Sequence, residues 1–159
     1  MLLSAPPSPA VRARLLAALE GPARHAPFAA PVARLFGTTR AAADEALSGL
    51  VQPSAFRTLP FTGISSARPP RGSVGTHAMF LRFEAGARTP VHRHLGREWV
   101  LVLEGRLFDV RVGGRLHGPG DLVEQADGST HAIHVPPEGP CLCAYLVERG
   151  VAFVGAPDA

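Results

Sequence analysis

Two kinds of hydrophobic periodicity divide the chain near residue 53. Before that point, apolar residues recur at helical spacing, as in the stripes Val11–Leu19 and Ala43–Leu50. We predict a first helix capped at Ser8 and ended by Gly21-Pro22. Two more are predicted at Val32–Phe36 and from Thr39 to Leu50. Because such short helices cannot bury their stripes alone, they should pack on the following domain or on a second subunit.

From Pro53 onward, apolar and polar residues alternate in short runs that glycine or proline interrupts, a pattern typical of strands joined by tight turns. The clearest predicted strands are Thr76–Phe83, Glu98–Glu104, Leu107–Arg111, Asp121–Glu124, Thr130–Ile133 and Leu142–Val147. Shorter strands are predicted at Phe61–Ile64, Arg115–His117 and Ala152–Val154. The pattern therefore predicts a helical extension, residues 1–52, followed by an all-β sandwich or barrel, residues 53–159.

Composition narrows the class of protein. The 17 glycines and 16 prolines among 159 residues suit a turn-rich β domain. No apolar run approaches the length of a transmembrane helix, and the proline-rich start lacks the basic region of a secretory signal, so we expect a cytoplasmic protein with no membrane partner. The net charge is +3, but the arginines are spread singly. Without a basic patch, nucleic-acid binding is not expected.

The two cysteines, Cys141 and Cys143, lie two positions apart on a predicted strand. Side chains at this spacing point the same way but cannot easily bridge each other. We interpret them as a reduced thiol pair facing the interior, with a redox or metal role as the alternative.

The residues with the strongest chemical signal lie between Gly86 and Gly105. His92 and His94 are two apart, so on a strand they share a face, and Glu98 opens the next strand after a short turn. An antiparallel neighbour can place Glu98 opposite the histidine pair. Imidazoles and a carboxylate are ligands that divalent iron, manganese, nickel, copper or zinc accept, and a buried carboxylate is costly unless paired or metal-bound. His131 begins a later returning strand and is a fourth candidate.

This arrangement resembles the two sequence motifs of the cupin superfamily. The first, Gly-x5-His-x-His-x3-Glu-x6-Gly, is matched without a gap by Gly86, His92, His94, Glu98 and Gly105. The second is matched by Gly120, Gly128 and His131, with Ala126 and Val135 where cupins usually have Pro and Asn. Neither departure falls on a ligand position. The resemblance implies a jelly-roll barrel, the cupin double-stranded β-helix.

Residues 53–155 resemble more closely the cupin half of ChrR-type anti-sigma factors, in the stretches EWVLVLEGRLFD, GPGD and GSTH. This resemblance implies that His92, His94, Glu98 and His131 bind a divalent metal, with zinc as the main candidate and iron, manganese, nickel or copper as alternatives. The full-length family also has a zinc-bound helical domain that holds the sigma factor. Residues 1–60 contain His25 but no cysteine, so anti-sigma activity is not implied.

Two principal functions follow from these expectations. The first is a regulatory or sensor module in transcriptional stress response that acts on a protein partner. The alternative is a small mononuclear metal-dependent dioxygenase acting on a small diketone or phenol, and a non-enzymatic binder with a small molecule in the barrel is a third. We also expect a homodimer, because the strand Glu98–Glu104 is apolar on both faces.

Four other polar residues receive structural interpretations. His77 is taken as a core histidine or, alternatively, as a group that faces a substrate. His117 is expected to be exposed in a turn, and Glu104 and Asp109 are expected to be solvated residues that bracket a hairpin.

Overall fold

The helical layer occupies the N-terminal part of the described chain. The computed structural model describes residues 20–74, 77–110 and 114–154, so the predicted stripe Val11–Leu19 lies outside the described residues. A 3-10 helix at Pro22–Phe28 leads into helix α1, Ala29–Phe36, and helix α2, Arg40–Gly49. The Thr39 side chain caps α2 by accepting a hydrogen bond from the backbone N–H of Ala42. Within these residues no helix is both long and apolar enough to cross a membrane.

Twelve strands follow within the described residues, after a 3-10 turn at Pro53–Ala55. They are β1 Arg57–Thr58, β2 Ile64–Ala67, β3 His77–Phe83, β4 His92–His94, β5 Glu98–Glu104, β6 Leu107–Asp109, β7 Leu116–His117, β8 Leu122–Gln125, β9 Thr130–His131, β10 Ile133–His134, β11 Cys141–Val147 and β12 Val151–Phe153. One sheet has the order β1-β2-β3-β11-β5-β8, and two three-stranded sheets have the orders β10-β6-β7 and β12-β4-β9. The paired strands are antiparallel throughout.

Two strand predictions were wrong in detail. The predicted strand Thr130–Ile133 is two strands, β9 and β10, because its first half pairs with β4 and its second half with β6. The predicted strand Phe61–Ile64 is instead a turn that leads into β2, with the backbone N–H of Ile64 bonded to the carbonyl of Phe61. The ends of two further predictions, Thr76 and Arg111, lie outside the described residues.

The helices pack on the outer face of the six-stranded sheet, which agrees with the first of the two expectations for them. Phe36 of α1 and Phe80 of β3 are fully buried, with ring centroids 5.5 Å apart at an interplanar angle of 82°. Leu101 and Leu103 of β5 belong to this same apolar cluster. The opposite face of β5 contributes to a second cluster between the sheets, so one strand supports two cores.

The thiols of Cys141 and Cys143 are free and buried in that inner cluster. Contact with the Cys141 thiol, together with burial, raises the pKa of Cys143 well above its usual value. The protonated thiol is therefore the favoured form, which agrees with an interior pair rather than a reactive thiolate.

A polar contact fastens the 3-10 helix to the end of β5. His25 is 2% exposed, and its Nε2 lies 3.2 Å from Oε2 of Glu104. Arg24 Nη2 lies 3.4 Å from the same oxygen. The expectation that Glu104 is simply solvated was therefore wrong, because the packing of the helical layer brings two basic groups onto its carboxylate.

Replacing Glu104 with Gln is expected to lower stability by up to about 1 kcal/mol at neutral pH, since the side chain is 46% exposed and solvent screens the pair. The hydrogen bond from His25 is the main cause that holds the pKa of Glu104 below its usual 4.5. The contribution of a group whose pKa is depressed by folding is present above the unfolded pKa and disappears as pH falls through the folded value. Urea denaturation at pH 7 and at pH 3 should show the difference only at pH 7.

The matched control is Glu45→Gln, on the exposed face of α2. This variant is expected to match the parent at both pH values. A Glu104→Gln deficit that persists unchanged at pH 3 would show that packing, and not charge, is responsible.

Candidate metal centre

The four sequence-predicted ligands meet between two sheets. His92 and His94 project inward from β4 while Arg93 projects to solvent. Strand β9 pairs with β4 so that His131 lies opposite His92, and Glu98 enters from the first position of β5 in the six-stranded sheet. All four residues are buried, with exposures of 0–5%. One ligand atom from each lies within 4.8 Å of every other, so the group could hold a metal ion.

The imidazole Nε2 atoms form the centre of the group. The Nε2 of His131 lies 3.0 Å from the Nε2 of His94 and 3.0 Å from that of His92. The carboxylate of Glu98 completes the set, with Oε2 3.3 Å from His94 Nε2 and Oε1 3.6 Å from His131 Nε2.

The outer ring nitrogens determine which tautomers the histidines adopt. The Nδ1 of His92 lies 2.9 Å from the carbonyl oxygen of Pro90, and the Nδ1 of His131 lies 3.0 Å from a carboxylate oxygen of Asp109. Because both partners are acceptors, each Nδ1 must carry the hydrogen. In the neutral ring, each Nε2 therefore presents a bare lone pair.

The third histidine, His94, also carries its hydrogen on Nδ1, because that nitrogen contacts a hydroxyl group. The Nδ1 of His94 lies 3.1 Å from Oγ of Ser129, and that hydroxyl donates to the carbonyl of Ala126 at 2.7 Å. Since the hydroxyl hydrogen is used, Oγ accepts from His94 Nδ1. Three Nε2 lone pairs thus converge with no hydrogen between them, an arrangement that a cation would stabilise.

Glu98 has the surroundings of a ligand rather than of an ordinary core residue. Its side chain is fully buried, and among the described residues neither carboxylate oxygen has a hydrogen bond of ordinary geometry. Burial raises its pKa, but the His94 imidazole, when that ring is protonated, and the Tyr145 phenol lower it by more, so the pKa is lowered overall. Burial also lowers the pKa of His92, more than the Pro90 carbonyl raises it. At neutral pH these effects favour a carboxylate beside an unprotonated imidazole, the forms that bind metals.

Asp109 is a buried partner of His131, not the solvated residue that the sequence suggested. Its carboxylate is 2% exposed and accepts hydrogen bonds from His131 Nδ1 and from the side-chain amide of Gln125. The expectation of a solvated residue was wrong because Asp109 shares a strand face with buried Leu107, two positions earlier. That alternation was the available signal.

Two further polar residues lie beside the centre. Tyr145 of β11 was not singled out from the sequence; burial and the charge of Glu98 raise its pKa, which keeps the phenol neutral. His77 is half-buried and lines the same cavity as His92 and Tyr145, which favours the alternative interpretation of a group facing a ligand.

His117 is half-buried in β7, 3.9 Å from a carboxylate oxygen of Asp121, and so is not the exposed turn residue that was expected.

Comparison with known proteins identifies the family to which this fold belongs. The model of the ChrR cupin-like domain family matches residues 59–150. A chain in the crystal structure of Rhodobacter sphaeroides SigE in complex with the anti-sigma ChrR is 28% identical with a TM-score of 0.51, over 58% of this chain and 48% of that one. None of the curated proteins compared with the chain matches it.

Two enzymes are similar to this chain in fold alone. Acetylacetone dioxygenase from Acinetobacter johnsonii is 14% identical with a TM-score of 0.53, over 65% of this chain and 74% of that one. The polyketide cyclase RemF from Streptomyces resistomycificus is 20% identical with a TM-score of 0.51, over 64% and 78%. The chain covers only 52% and 48% of the first two solved chains that it matches. The family match nevertheless spans more than half of this chain, which therefore belongs to the ChrR cupin-like domain family and has an all-β cupin fold with a short helical N-terminal part.

Proposed function

We propose that this chain is a metal-binding regulatory module in which one divalent ion, zinc as the main candidate, is bound by His92, His94, Glu98 and His131. The observation that carries the proposal is the convergence of three bare Nε2 atoms on a buried carboxylate that lacks ordinary hydrogen bonds. These are borderline nitrogen and hard oxygen donors, which suit first-row divalent metals and zinc. The ion would supply a fixed positive charge and, at any position left open, a Lewis acid.

The chain's own residues prepare the site before an ion arrives. The Pro90 carbonyl, the Ser129 hydroxyl and the Asp109 carboxylate each fix one imidazole through Nδ1. Their effect is to aim each Nε2 inward and to raise its basicity. Strands from two sheets hold the ligands, so the site depends on the assembled barrel.

Family membership supports the regulatory part of the proposal. A structural relative contains the anti-sigma ChrR, and the helical layer here packs on β5, the strand that supplies Glu98. We therefore propose that the module acts on a protein partner. It would do so either by way of a separate protein or directly through the first predicted helix near Arg12 and Arg14. We also propose a cytoplasmic location, where the buried thiols would stay reduced.

A small metal-dependent dioxygenase is the second candidate function. It is supported by the cavity that reaches His92 from the apolar side of the barrel. Three histidines and one glutamate would leave open positions on a six-coordinate ion, which catalysis requires. The likeness to acetylacetone dioxygenase concerns the fold alone.

Metal analysis of protein purified without a histidine tag tests both functions. The regulatory proposal expects stoichiometric zinc and a protein captured from native lysate whose recovery changes on chelation. Bound ferrous iron, with oxygen uptake in the presence of a small diketone or phenol, would replace that proposal with the enzyme. Absence of any metal after growth and purification with each candidate ion would overturn the metal assignment itself.

The Asp109→Asn variant is expected to weaken zinc binding about 10- to 100-fold, because it removes the charged acceptor that orients His131. Competition with a chromophoric chelator measures the change. The matched control is Asp121→Asn, whose carboxylate accepts from the Gly118 backbone outside the centre. Equal zinc affinities in the two variants, with both folded by circular dichroism, would remove Asp109 from the site.

We also propose that the chain forms a homodimer. Leu122 lies on β8 at one edge of the six-stranded sheet and is 59% exposed. An apolar residue on a sheet edge favours contact with another chain. Light scattering at micromolar concentration should give twice the 16.7 kDa mass of one chain. A mass of one chain would show that the helices alone cover the sheet.

A further inference from the structure

A cavity of about 420 Å³ lies beside the candidate metal centre and is not explained by metal binding. Of the four candidate ligands, it is lined by His92 only. Its other walls are aliphatic and aromatic, including Leu81, Phe83, Ile133 and Val151. Pockets of about 300–1,000 Å³ with apolar walls are the usual size for small organic ligands.

The cavity has an identifiable opening. Phe153 lines it and is 38% exposed, and Pro90 and Arg149 in its lining are also exposed. The rings of Phe61 and Phe153 lie 5.1 Å apart at this side. Two aromatic rings at the entrance favour a flat or flexible apolar molecule.

The charged side chains around the cavity favour an uncharged ligand. Among the described residues no acidic side chain lines it, so an ammonium group would find no carboxylate partner from them. Arg149 is the guanidinium in the lining, but its side chain is 65% exposed and binds the carboxylate of Asp127 at 2.7 Å and the carbonyl of Leu95. An anionic group that does not reach the proposed ion would therefore be desolvated without an uncommitted basic partner from Arg149.

The polar groups that remain in the lining are few. Tyr145 contributes a phenol hydroxyl to the lining. Thr89 and His77 add one hydroxyl and one imidazole to the lining. A few such groups in an apolar wall orient a ligand that carries little polarity of its own.

We propose that this cavity binds an uncharged, largely apolar small molecule, seated against His92 at the edge of the metal centre. The inference rests on the proposed function in that the ligand would be the small molecule which the metal module detects or acts upon. The cavity itself is formed by the barrel walls, so binding can be measured without the metal.

The test uses two fluorescent probes that differ by one charged group. N-phenyl-1-naphthylamine is neutral, and 1-anilinonaphthalene-8-sulfonate is the same molecule with a sulfonate. We expect saturable one-to-one binding of the neutral probe to folded protein, at least tenfold tighter than that of the sulfonate. Equal affinities, or tighter binding of the sulfonate, would overturn the uncharged class.

A pair of matched variants locates the probe. Val151→Trp fills the cavity wall and should weaken binding of the neutral probe at least tenfold. Val110→Trp makes the same change at a position that is 58% exposed and should leave binding unchanged. If Val151→Trp does not fold, Phe61→Trp at the entrance replaces it. Equal binding by the cavity variant and Val110→Trp would place the probe elsewhere and overturn the proposal.

Measurements with zinc and with chelator separate this inference from the metal assignment. Probe binding that persists in chelator supports the cavity whatever the metal content proves to be. A protein that binds zinc but not the neutral probe would overturn the cavity proposal and leave the metal proposal intact. A protein that binds the probe but no metal would overturn the metal proposal and leave the cavity proposal intact.

Discussion

Replacing His92 and His94 together with alanine is expected to abolish the zinc-dependent part of the protein's stability. An ion that binds only the folded chain stabilises it by about 4 kcal/mol at a free concentration 1,000 times Kd. For a chain of 159 residues this corresponds to roughly 8–16 °C in Tm. Thermal denaturation with buffered zinc and with chelator measures the increment, and metal analysis of the same samples gives the occupancy.

The matched control is the double variant His117→Ala and His134→Ala, which removes two histidines outside the centre. His134 stacks on Phe108 with ring centroids 6.4 Å apart, so this control should lose some baseline stability. Its zinc-dependent increment should nevertheless equal that of the parent. A full increment in the His92 and His94 variant, or unchanged metal content, would show that the ion binds elsewhere.

The Gly105→Ala variant is expected to lose about 3–5 kcal/mol, the largest effect of any single methyl group that we predict. Gly105 has φ +73, and a Cβ there would lie 2.0 Å from the carbonyl oxygen of Pro140 and 2.9 Å from Cα of Cys141. Both of these atoms belong to backbone at the start of β11, so the β5–β6 turn or that strand must move. Urea denaturation measures the loss.

Gly86, the first residue of the same motif, supplies the control. Its φ is +76, but a Cβ there would meet nothing within 4 Å. Gly86→Ala should therefore cost only the left-handed conformation, about 1–2 kcal/mol. If the two variants lose equal stability, then conformation and not the close approach to Pro140 explains the motif's last glycine.

The sequence predicts those parts of the centre that depend on local alternation. The inward orientation of His92 and His94 and the two faces of β5 follow from period two within one strand. The spacing of the cupin motifs then identifies Glu98 and His131 as their companions. Pairing between distant strands is not local, so the division of Thr130–Ile133 between two sheets could not be read from that segment alone.

The groups that surround the candidate ligands were the hardest to predict. Asp109 was interpreted as a hairpin residue, although it is buried against His131. Tyr145 lies in an apolar strand whose alternation shows that it faces inward, but not that Glu98 is its neighbour. These relations depend on how separate strands meet in the barrel, information that only the assembled fold contains.

Strand β5 gives the molecule a direct mechanical connection between its two cores. Its first residue, Glu98, reaches the centre, while Leu101 and Leu103 hold the helical layer and Glu104 binds His25. An ion held by Glu98 and by histidines of the facing sheet would cross-link the two sheets of the barrel. Loss of the ion would loosen one end of β5, the strand on which the helices pack. Under the proposed function, we therefore expect loss of the ion to be transmitted along β5 to the helical layer.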